Sequence, residues 1–326
     1  MIQKESILIV RLGAMGDIVH ALPAAASLKL SFPDRKLVWV VRPKWMPLLE
    51  GNPFIDELVP FDKQGIASII ASCKRVRGIQ PTLAFDFQGL IQSALIGRLS
   101  RPRQFWGFDK SIAREWPAPL FYTSTGGPSG PHRVERNLQL AQAAGARTLT
   151  DKAWLPVGFA EGVLPSGPFV LTSPLAGWVG KQWPLQHYEQ LAKLLSKEGV
   201  ALVANTAVNQ APVLTGLENL HVHASSIPGL LHATRNAVAV VGVDSGPLHM
   251  AAALQKPGVA IFGPTDPAAN GPYGDSISVL RAGNVTTTYQ RHSRIHPSMK
   301  EISAEQVFNS LMRSIDRHHT ASVQSL

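Results

Sequence analysis

The chain has 326 residues, 45% of them hydrophobic, and a single cysteine, Cys73. This length and composition predict a folded protein of two domains and exclude an internal disulfide bond or a multi-cysteine metal site. The net charge of +9 is uneven, because residues 1–155 carry +8 and residues 156–326 carry +1. The first half is expected either to meet an anionic partner, whether nucleic acid, acidic lipid or acidic glycan, or to present an ordinary solvated basic surface.

The first half alternates apolar runs with stretches of helical spacing. Continuous apolar runs are typical of strands buried on both faces, so a parallel sheet wrapped by helices is expected. In chain order the predicted elements are the strand ILIV, a helix over 17–30, the strand KLVWVV, a helix over 44–50, the strand ELVPF, a helix over 66–77, the strand TLAFDF and a helix over 90–99. No apolar stretch reaches the roughly 20 residues that cross a bilayer, which predicts a soluble or membrane-peripheral protein.

A segment rich in Gly and Pro, 156–168, interrupts this alternation and is predicted to be a linker. A second alternation follows, with the strands FVLTSP, VALVA, AVAVVGV and GVAIFG and with helices over 185–198 and from Gly246. The predicted organisation is a domain over 1–155, the linker, a domain over 169–302, and a terminal helix with a loose tail over 303–326 that packs back across the domains. Two doubly wound domains leave a cleft at the carboxyl ends of their strands, where ligands bind.

The segment RLGAMGDIVHALP places Asp17 directly after the first strand. Gly13 and Gly16 allow a tight turn, and Asp17 is expected to open the helix. The glycine spacing is not that of a dinucleotide-binding loop, and no acidic residue closes the second strand, so a nicotinamide enzyme is disfavoured. Asp17 is therefore either a helix N-cap or a functional carboxylate.

The segment GVDSGPLHMAAAL ends a buried strand and begins a helix. The free N–H groups of Ser245 and Gly246, with the positive end of the helix dipole, predict a diphosphate site that needs no metal. Asp244 is expected to fix the turn or to accept hydrogen bonds from sugar hydroxyls. His249 is either a packed core residue or a further phosphate contact.

In the segment PLAGWVGKQWP, Lys181 follows a Gly-rich loop and offers a point charge suited to a leaving phosphate.

These segments together resemble the heptosyltransferase family, the inverting glycosyltransferases of GT-B fold that build the inner core of lipopolysaccharide. The resemblance also includes DFQGLIQSALIGRLS, RVERNLQLA and IFGPTDPAANGPYG, and so extends over nearly the whole chain. It implies an α/β protein with two doubly wound, Rossmann-like domains facing a central cleft. The first domain would bind the acceptor, and the second would bind ADP-heptose.

The resemblance implies a role for each of these loops. Asp17 matches the family's general base, and Lys181 would offset the charge of the leaving diphosphate with help from Ser245, Gly246 and His249. The family's hydroxyl residues before this lysine are replaced by Ala176 and Gly177, which leaves backbone contacts to the donor. Where close relatives hold the nucleotide ribose with an acid, this chain has Asn209 or Gln210.

The acceptor implied by the resemblance is the acidic, Kdo-bearing lipid A. It would dock on the densest basic cluster of the first domain, Arg98, Arg101 and Arg103, unless that cluster is only a solvated helix end. The implied location is cytoplasmic, peripheral on the inner face of the inner membrane. Neither a nucleic-acid partner nor a metal or other cofactor is implied.

Two alternatives belong to other classes of protein. A GT-B-like epimerase would share the donor site and isomerise free sugar nucleotide without an acceptor. A non-catalytic protein that binds anionic glycolipid would keep the basic face, but it would need neither Asp17 nor Lys181.

Overall fold

The computed structural model describes residues 5–127, 129–175, 177–283, 285–291 and 293–324. The chain divides into two compact units, Met1–Pro156 and Val157–Leu326. Each unit contains a six-stranded sheet, and the strands pair in parallel throughout. The predicted α/β fold with parallel sheets is thus confirmed. Across the described residues, every helix is too short or too polar to span a bilayer.

The first unit has the strand order β3-β2-β1-β4-β5-β6. Its strands are β1 (Ser6–Val10), β2 (Lys36–Val41), β3 (Glu57–Pro60), β4 (Leu83–Asp86), β5 (Gln104–Phe108) and β6 (Ser124–Gly126). Its helices are α1 (Met15–Val19), α2 (Leu22–Ser31), α3 (Ile66–Arg77), α4 (Ile91–Leu99) and α5 (Arg133–Ala143), with 3₁₀ turns at Pro43–Leu48 and Ala118–Phe121.

Helices cover both faces of the first sheet. Right-handed crossovers place α3 and α4 on one face, where they pack against each other and α4 packs on the turn Ala118–Phe121. On the other face α2 packs against α5. β1 and β4 are fully buried, as expected for central strands between two helical layers.

Two predicted helices of the first unit differ in the structure. The helix predicted over 17–30 is divided into α1 and α2, because Pro23 in the first turn of α2 lacks the N–H group that a continuous helix needs. The helix predicted over 44–50 is a 3₁₀ turn with Pro43 at its start and Pro47 inside it. The helix predicted over 66–77 is confirmed without change.

The second unit has the strand order β12-β11-β10-β7-β8-β9. Its strands are β7 (Phe169–Thr172), β8 (Ala201–Thr206), β9 (Leu220–Ala224), β10 (Ala239–Val243), β11 (Gly258–Phe262) and β12 (Ile277–Arg281). Its helices are α6 (Leu185–Lys197), α7 (Ile227–Asn236), α8 (Gly246–Ala253), α9 (Pro267–Asn270), α10 (Pro297–Lys300) and α11 (Ala304–Gln324), with 3₁₀ turns at Val179–Lys181 and Val208–Val213.

The terminal helix α11 packs against α6 and β11. Its Val307 and Leu311 are buried in the core that Trp183 and Tyr188 also fill. The predicted helical spacing near the C-terminus is therefore confirmed, with α11 packed on the second sheet. The prediction that this helix crosses the domains stays a prediction.

Candidate active site

Each sheet has one point at which its strand order reverses direction. In the first sheet this point lies between β1 and β4, and in the second it lies between β7 and β10. The loops that follow such a pair of strands diverge to opposite faces and leave a crevice at the carboxyl edge, where ligands bind open α/β sheets. Asp17 follows β1, while Lys181 follows β7 and Asp244 follows β10. The sequence-predicted reactive side chains therefore lie at the two switch points.

The loop after β1 brings Asp17 to the carboxyl edge of the first sheet. The N-cap of α1 is Ala14, and Asp17 is the third residue of that helix. The alternative of an N-cap role for Asp17 is therefore wrong. Gly13 has a φ of +152°, and a Cβ atom there would lie 2.6 Å from Nε1 of Trp45. This position accordingly requires glycine.

Three arginines surround the carboxylate of Asp17. Arg11 forms an ion pair with Oδ2, Arg133 Nη1 lies 2.8 Å from Oδ1, and Arg114 Nη2 lies 3.0 and 3.1 Å from the two oxygens. Burial opposes ionisation of Asp17, but the charges of Arg11 and Arg114 outweigh it and hold the pKa of Asp17 well below its ordinary value. Asp17 is therefore a carboxylate at every physiological pH.

The loop after β4 holds Arg11 in place. Arg11 Nη1 donates a hydrogen bond of 2.5 Å to the carbonyl oxygen of Phe87, and the N–H of Leu12 donates one of 3.0 Å to Oε1 of Gln88. These two bonds join the loops on either side of the switch point. The guanidinium of Arg11 is consequently fixed beside Asp17 before any ligand binds.

Asp86, the last residue of β4, binds the loop that follows this strand. Its carboxylate is fully buried and accepts four hydrogen bonds, from the N–H groups of Gln88 and Gly89 and from the hydroxyls of Ser93 and Tyr122, at 2.7 to 3.1 Å. Burial still raises the pKa of Asp86, because desolvation outweighs these bonds. Asp86 supports the site and does not reach it.

These three arginines and Arg136 line a pocket in the first unit. Its charged lining consists of Arg11, Arg114, Arg133, Arg136 and a single carboxylate, Asp17. Four guanidinium groups against one carboxylate leave an excess of positive charge, which favours an anionic ligand. The side chains of Arg114 and Arg133 are partly exposed, so a ligand has access to them.

Lys181 and Asp244 form an ion pair at the switch point of the second sheet. Lys181 Nζ lies 2.5 Å from Oδ2 of Asp244, and the hydroxyl of Thr265 donates to the same oxygen at 2.7 Å. Lys181 also lies over the ring of Trp178, 4.6 Å from its centroid. The lysine is therefore held by Trp178 of its own loop and by Asp244, whose carboxylate Thr265 also binds.

His249 completes this cluster from the first turn of α8. Its side chain is buried, and Nε2 lies 3.5 Å from Oδ1 of Asp244. Burial would raise the pKa of Asp244, but the hydrogen bond with His249 and the charges of Lys181 and His249 lower it to about 2. Asp244 thus acts as the counter-ion of Lys181, a partnership that the sequence did not predict.

The start of α8 lies next to this ion pair. Ser245 is its N-cap, and the Ser245 side chain makes no capping hydrogen bond. Among the described residues, the Ser245 hydroxyl oxygen is buried without a hydrogen-bond partner. The first N–H groups of α8 and this hydroxyl can therefore donate hydrogen bonds to a bound anion.

The other predicted donor-binding residues have different surroundings. Gly177 lies in the loop after β7, where an added Cβ atom would meet no other atom within 4 Å. Asn209 is exposed in the 3₁₀ turn after β8, also at the carboxyl edge. Ala176 lies outside the described residues.

In the described part of the chain, no group of three His, Cys, Asp or Glu side chains could hold a metal ion.

The predicted acceptor cluster lies at the opposite edge of the first sheet. Arg98 is in the last turn of α4, and Arg101 and Arg103 stand in the loop that enters β5 at its amino end. These arginines are therefore not brought together with Asp17. The sequence analysis did not predict the arginines that do contact Asp17. One of them, Arg133, begins the segment RVERNLQLA that contributed to the family resemblance.

The pKa of Asp244 predicts a pH dependence of stability. Because its native pKa lies near 2 and its ordinary value is 3.8, the native state binds fewer protons than the unfolded state between these values. The stabilisation from Asp244 is complete well above pH 3.8 and is lost as the pH falls through 2. Denaturant titrations measure the free energy of unfolding. Between pH 4 and pH 2, this free energy should fall by about 2 kcal/mol more in wild type than in Asp244→Asn. Equal losses in the two proteins would contradict the assigned ion pair.

Comparisons with known proteins identify the relatives of this chain. The model of glycosyltransferase family 9 (heptosyltransferase) matches residues 69–298. The lipopolysaccharide heptosyltransferase 1 of Pseudomonas aeruginosa is 28% identical over 291 residues, which are 83% of this chain and 82% of the relative. Structures of the E. coli heptosyltransferase WaaC with ADP and with ADP-2-deoxy-2-fluoro heptose give TM-scores of 0.76 and 0.73 at 25% identity. They cover 95% and 94% of this chain and 99% of each E. coli chain.

Proposed function

Because the chain belongs to glycosyltransferase family 9, the heptosyltransferase family, we propose that it transfers heptose from ADP-heptose to the inner core of lipopolysaccharide with inversion at the anomeric carbon. The names of its relatives support the acceptor, and the ligands of the WaaC structures support the donor. The observation that carries the proposal is the ionised Asp17 carboxylate within a pocket of four arginines. This pocket combines a proton acceptor with a site for acidic groups.

Asp17 is the general base of the proposed reaction. It takes the proton of the acceptor hydroxyl while the hydroxyl oxygen bonds to the anomeric carbon and the bond to the diphosphate breaks. In the free enzyme its three arginine partners lower its proton affinity. We infer that acidic groups of the acceptor compete for Arg114 and Arg133, which are partly exposed, and so raise that affinity when the acceptor binds.

Lys181 and the start of α8 stabilise the leaving ADP. The diphosphate gains negative charge as its bond to the sugar breaks, and the ammonium of Lys181 and the N–H groups of Ser245 and Gly246 are the nearby groups suited to it. Asp244 positions Lys181 through their ion pair, and His249 lies beside that pair. Gly177, Asn209 and Ala176 remain proposed donor contacts.

The acceptor site that the geometry favours is the arginine pocket. Arg136 lines it, and its Nε donates to the carbonyl oxygen of Gly130, 2.9 Å away. Arg98, Arg101 and Arg103 stay a second proposal for the same role. With an acceptor anchored in lipid, the enzyme would work peripherally at the cytoplasmic face of the inner membrane.

A salt titration decides between the two arginine clusters. Exposed ion pairs weaken at ionic strengths where the Debye length falls below about 8 Å, so the KM for a water-soluble, deacylated acceptor should rise with salt. Arg136→Gln should raise this KM about tenfold at low salt and flatten its salt dependence, because one charged hydrogen bond is lost. The matched variant Arg101→Gln/Arg103→Gln should change neither. The reverse pattern would move acceptor binding to the Arg98 cluster.

The requirement for an acceptor tests the function itself. ADP release from ADP-heptose should be slow alone and should rise steeply when Kdo-bearing lipid A is added. Isomerisation of the free sugar nucleotide would instead identify an epimerase. Binding of the glycolipid without ADP release would identify a non-catalytic binding protein.

A further inference from the structure

One helical layer of the first unit has an apolar outer surface. It consists of α3, α4 and the segment that contains the turn Ala118–Phe121, which follow one another across the same face of the sheet. Large apolar side chains stand exposed on each of these three elements. They are Ile66, Ile69, Ile70, Ile91, Leu95, Trp116 and Leu120, and this set is called the apolar face below.

The exposure of the apolar face is unusually high for side chains of this size. Ile66, Leu120 and Trp116 are 78%, 71% and 61% exposed. Neighbouring elements that all expose large apolar groups make a patch, and such patches on soluble units mark interaction sites more often than isolated exposed residues do. A patch of this kind is suited to a partner that covers it.

The apolar face lies near the edge of the sheet that holds Asp17. α3 and α4 begin at the carboxyl ends of β3 and β4, and the apolar residues lie in the first turns of both helices. Trp116 comes two residues after Arg114, which binds Asp17, and the Glu115 side chain accepts a hydrogen bond from the N–H of Ile91 at 2.7 Å. The partner of this face would thus lie beside the arginine pocket.

Basic residues border the apolar face at both ends, with Lys63 before the first turn of α3 and the others at the amino edge of the sheet. From residue 63 to residue 103 the chain contains seven Lys and Arg but a single carboxylate, Asp86, which is fully buried. All seven are exposed, and none forms an ion pair with the described residues. The basic residues are Lys63, Lys74, Arg75, Arg77, Arg98, Arg101 and Arg103.

We propose that the apolar face and its basic border dock on an anionic lipid bilayer, with the isoleucines and Trp116 entering the headgroup region. This inference rests on the proposed function in one respect, because a lipid-anchored acceptor requires the arginine pocket to approach a bilayer. Apolar side chains beside Lys and Arg are the combination that binds anionic membrane surfaces. The lipid face also gives the Arg98 cluster a role at the amino edge of the sheet.

Charge separates a bilayer from the other possible occupants. A second copy of this chain would bring the same uncompensated basic residues against themselves, and like charges oppose such a contact. A bilayer supplies negative charge along the whole border and apolar volume for the face. It also places the acceptor sugars next to Arg114.

Vesicle binding tests the surface without any substrate. Wild type should sediment with vesicles that contain phosphatidylglycerol and should bind pure phosphatidylcholine vesicles at least tenfold more weakly. Ile66→Ser/Ile70→Ser and Lys74→Gln/Arg77→Gln should each lower the partition coefficient about tenfold. The matched controls Val163→Ser/Val213→Ser, at 72% and 57% exposure in the second unit, and Lys197→Gln/Lys300→Gln should leave it unchanged. Thermal melts should show all four variants folded.

A second assay separates failure of this surface from failure of the proposed function. With a deacylated acceptor in solution, Ile66→Ser/Ile70→Ser should match the wild-type kcat and KM, whereas with acceptor embedded in vesicles its rate should fall about tenfold. Unchanged vesicle binding in both face variants would overturn the membrane surface. Absence of wild-type activity on the soluble acceptor, with vesicle binding intact, would overturn the function and leave the surface standing.

Discussion

Asp17→Asn is expected to lower kcat for heptose transfer by about 10²- to 10⁴-fold, the usual cost of removing a general base. Asparagine has nearly the shape of aspartate but cannot accept the proton of the acceptor hydroxyl. Donor affinity should be unchanged, because ADP-heptose is assigned to the second unit. Steady-state kinetics and calorimetry with ADP measure the two quantities separately.

A second carboxylate of the first unit provides the control for Asp17. Asp56 is also ion-paired, with Lys29 at 2.8 Å, but it lies outside the arginine pocket. Asp56→Asn should therefore retain full turnover. Turnover near the wild-type rate in Asp17→Asn, with the protein folded, would reduce Asp17 to a counter-ion that only holds Arg11, Arg114 and Arg133 together.

Lys181→Met is expected to lower kcat by about 10²- to 10³-fold, as for the loss of one preorganised group that stabilises developing charge. The effect on kcat should exceed the effect on donor affinity, because the leaving diphosphate carries more charge in the transition state than in the ground state. Rapid-quench kinetics of ADP release gives the chemical step, and calorimetry gives the affinity.

Asp244 complicates this variant and also offers its control. Without Lys181 the buried Asp244 carboxylate loses its partner and repels the diphosphate. The double variant Lys181→Met/Asp244→Asn removes that repulsion and should recover donor affinity while kcat stays low. Lys193→Met, which removes an exposed ion pair of α6 with Glu218, should have no effect. A Lys181→Met variant that loses only affinity would show that Lys181 anchors the donor in the ground state.

The fold was predictable where the sequence pattern reports burial on both faces. Central strands such as β1 and β10 are continuous apolar runs because helices cover both sides of them. The interior strand β5 was not predicted, and neither were the edge strands β6, β9 and β12, whose residues are half-exposed and show no such run. The break between α1 and α2 was missed although Pro23 marks it.

The candidate site was predictable as loops but not as a set of contacts. Glycines that follow an apolar strand identify the loops that carry Asp17, Lys181 and Ser245 from local sequence alone. Arg114 and Arg133 reach Asp17 across 97 and 116 residues of sequence, and in the sequence they look like any surface arginine. The Arg98 cluster was preferred because its charges are dense along the chain. The arginines of the pocket instead converge in space.

The central claim, inverting heptose transfer with Asp17 as base, is tested most directly by determining the linkage of the isolated product. Wild-type protein is incubated with ADP-heptose and Kdo-bearing lipid A, and NMR of the product gives the anomeric configuration and the position of the new bond. We predict one added heptose on the inner-core sugar, with the configuration opposite to that of the donor, and essentially no product from Asp17→Asn in the same time. A product that retains the donor configuration, or equal product from Asp17→Asn, would contradict the account.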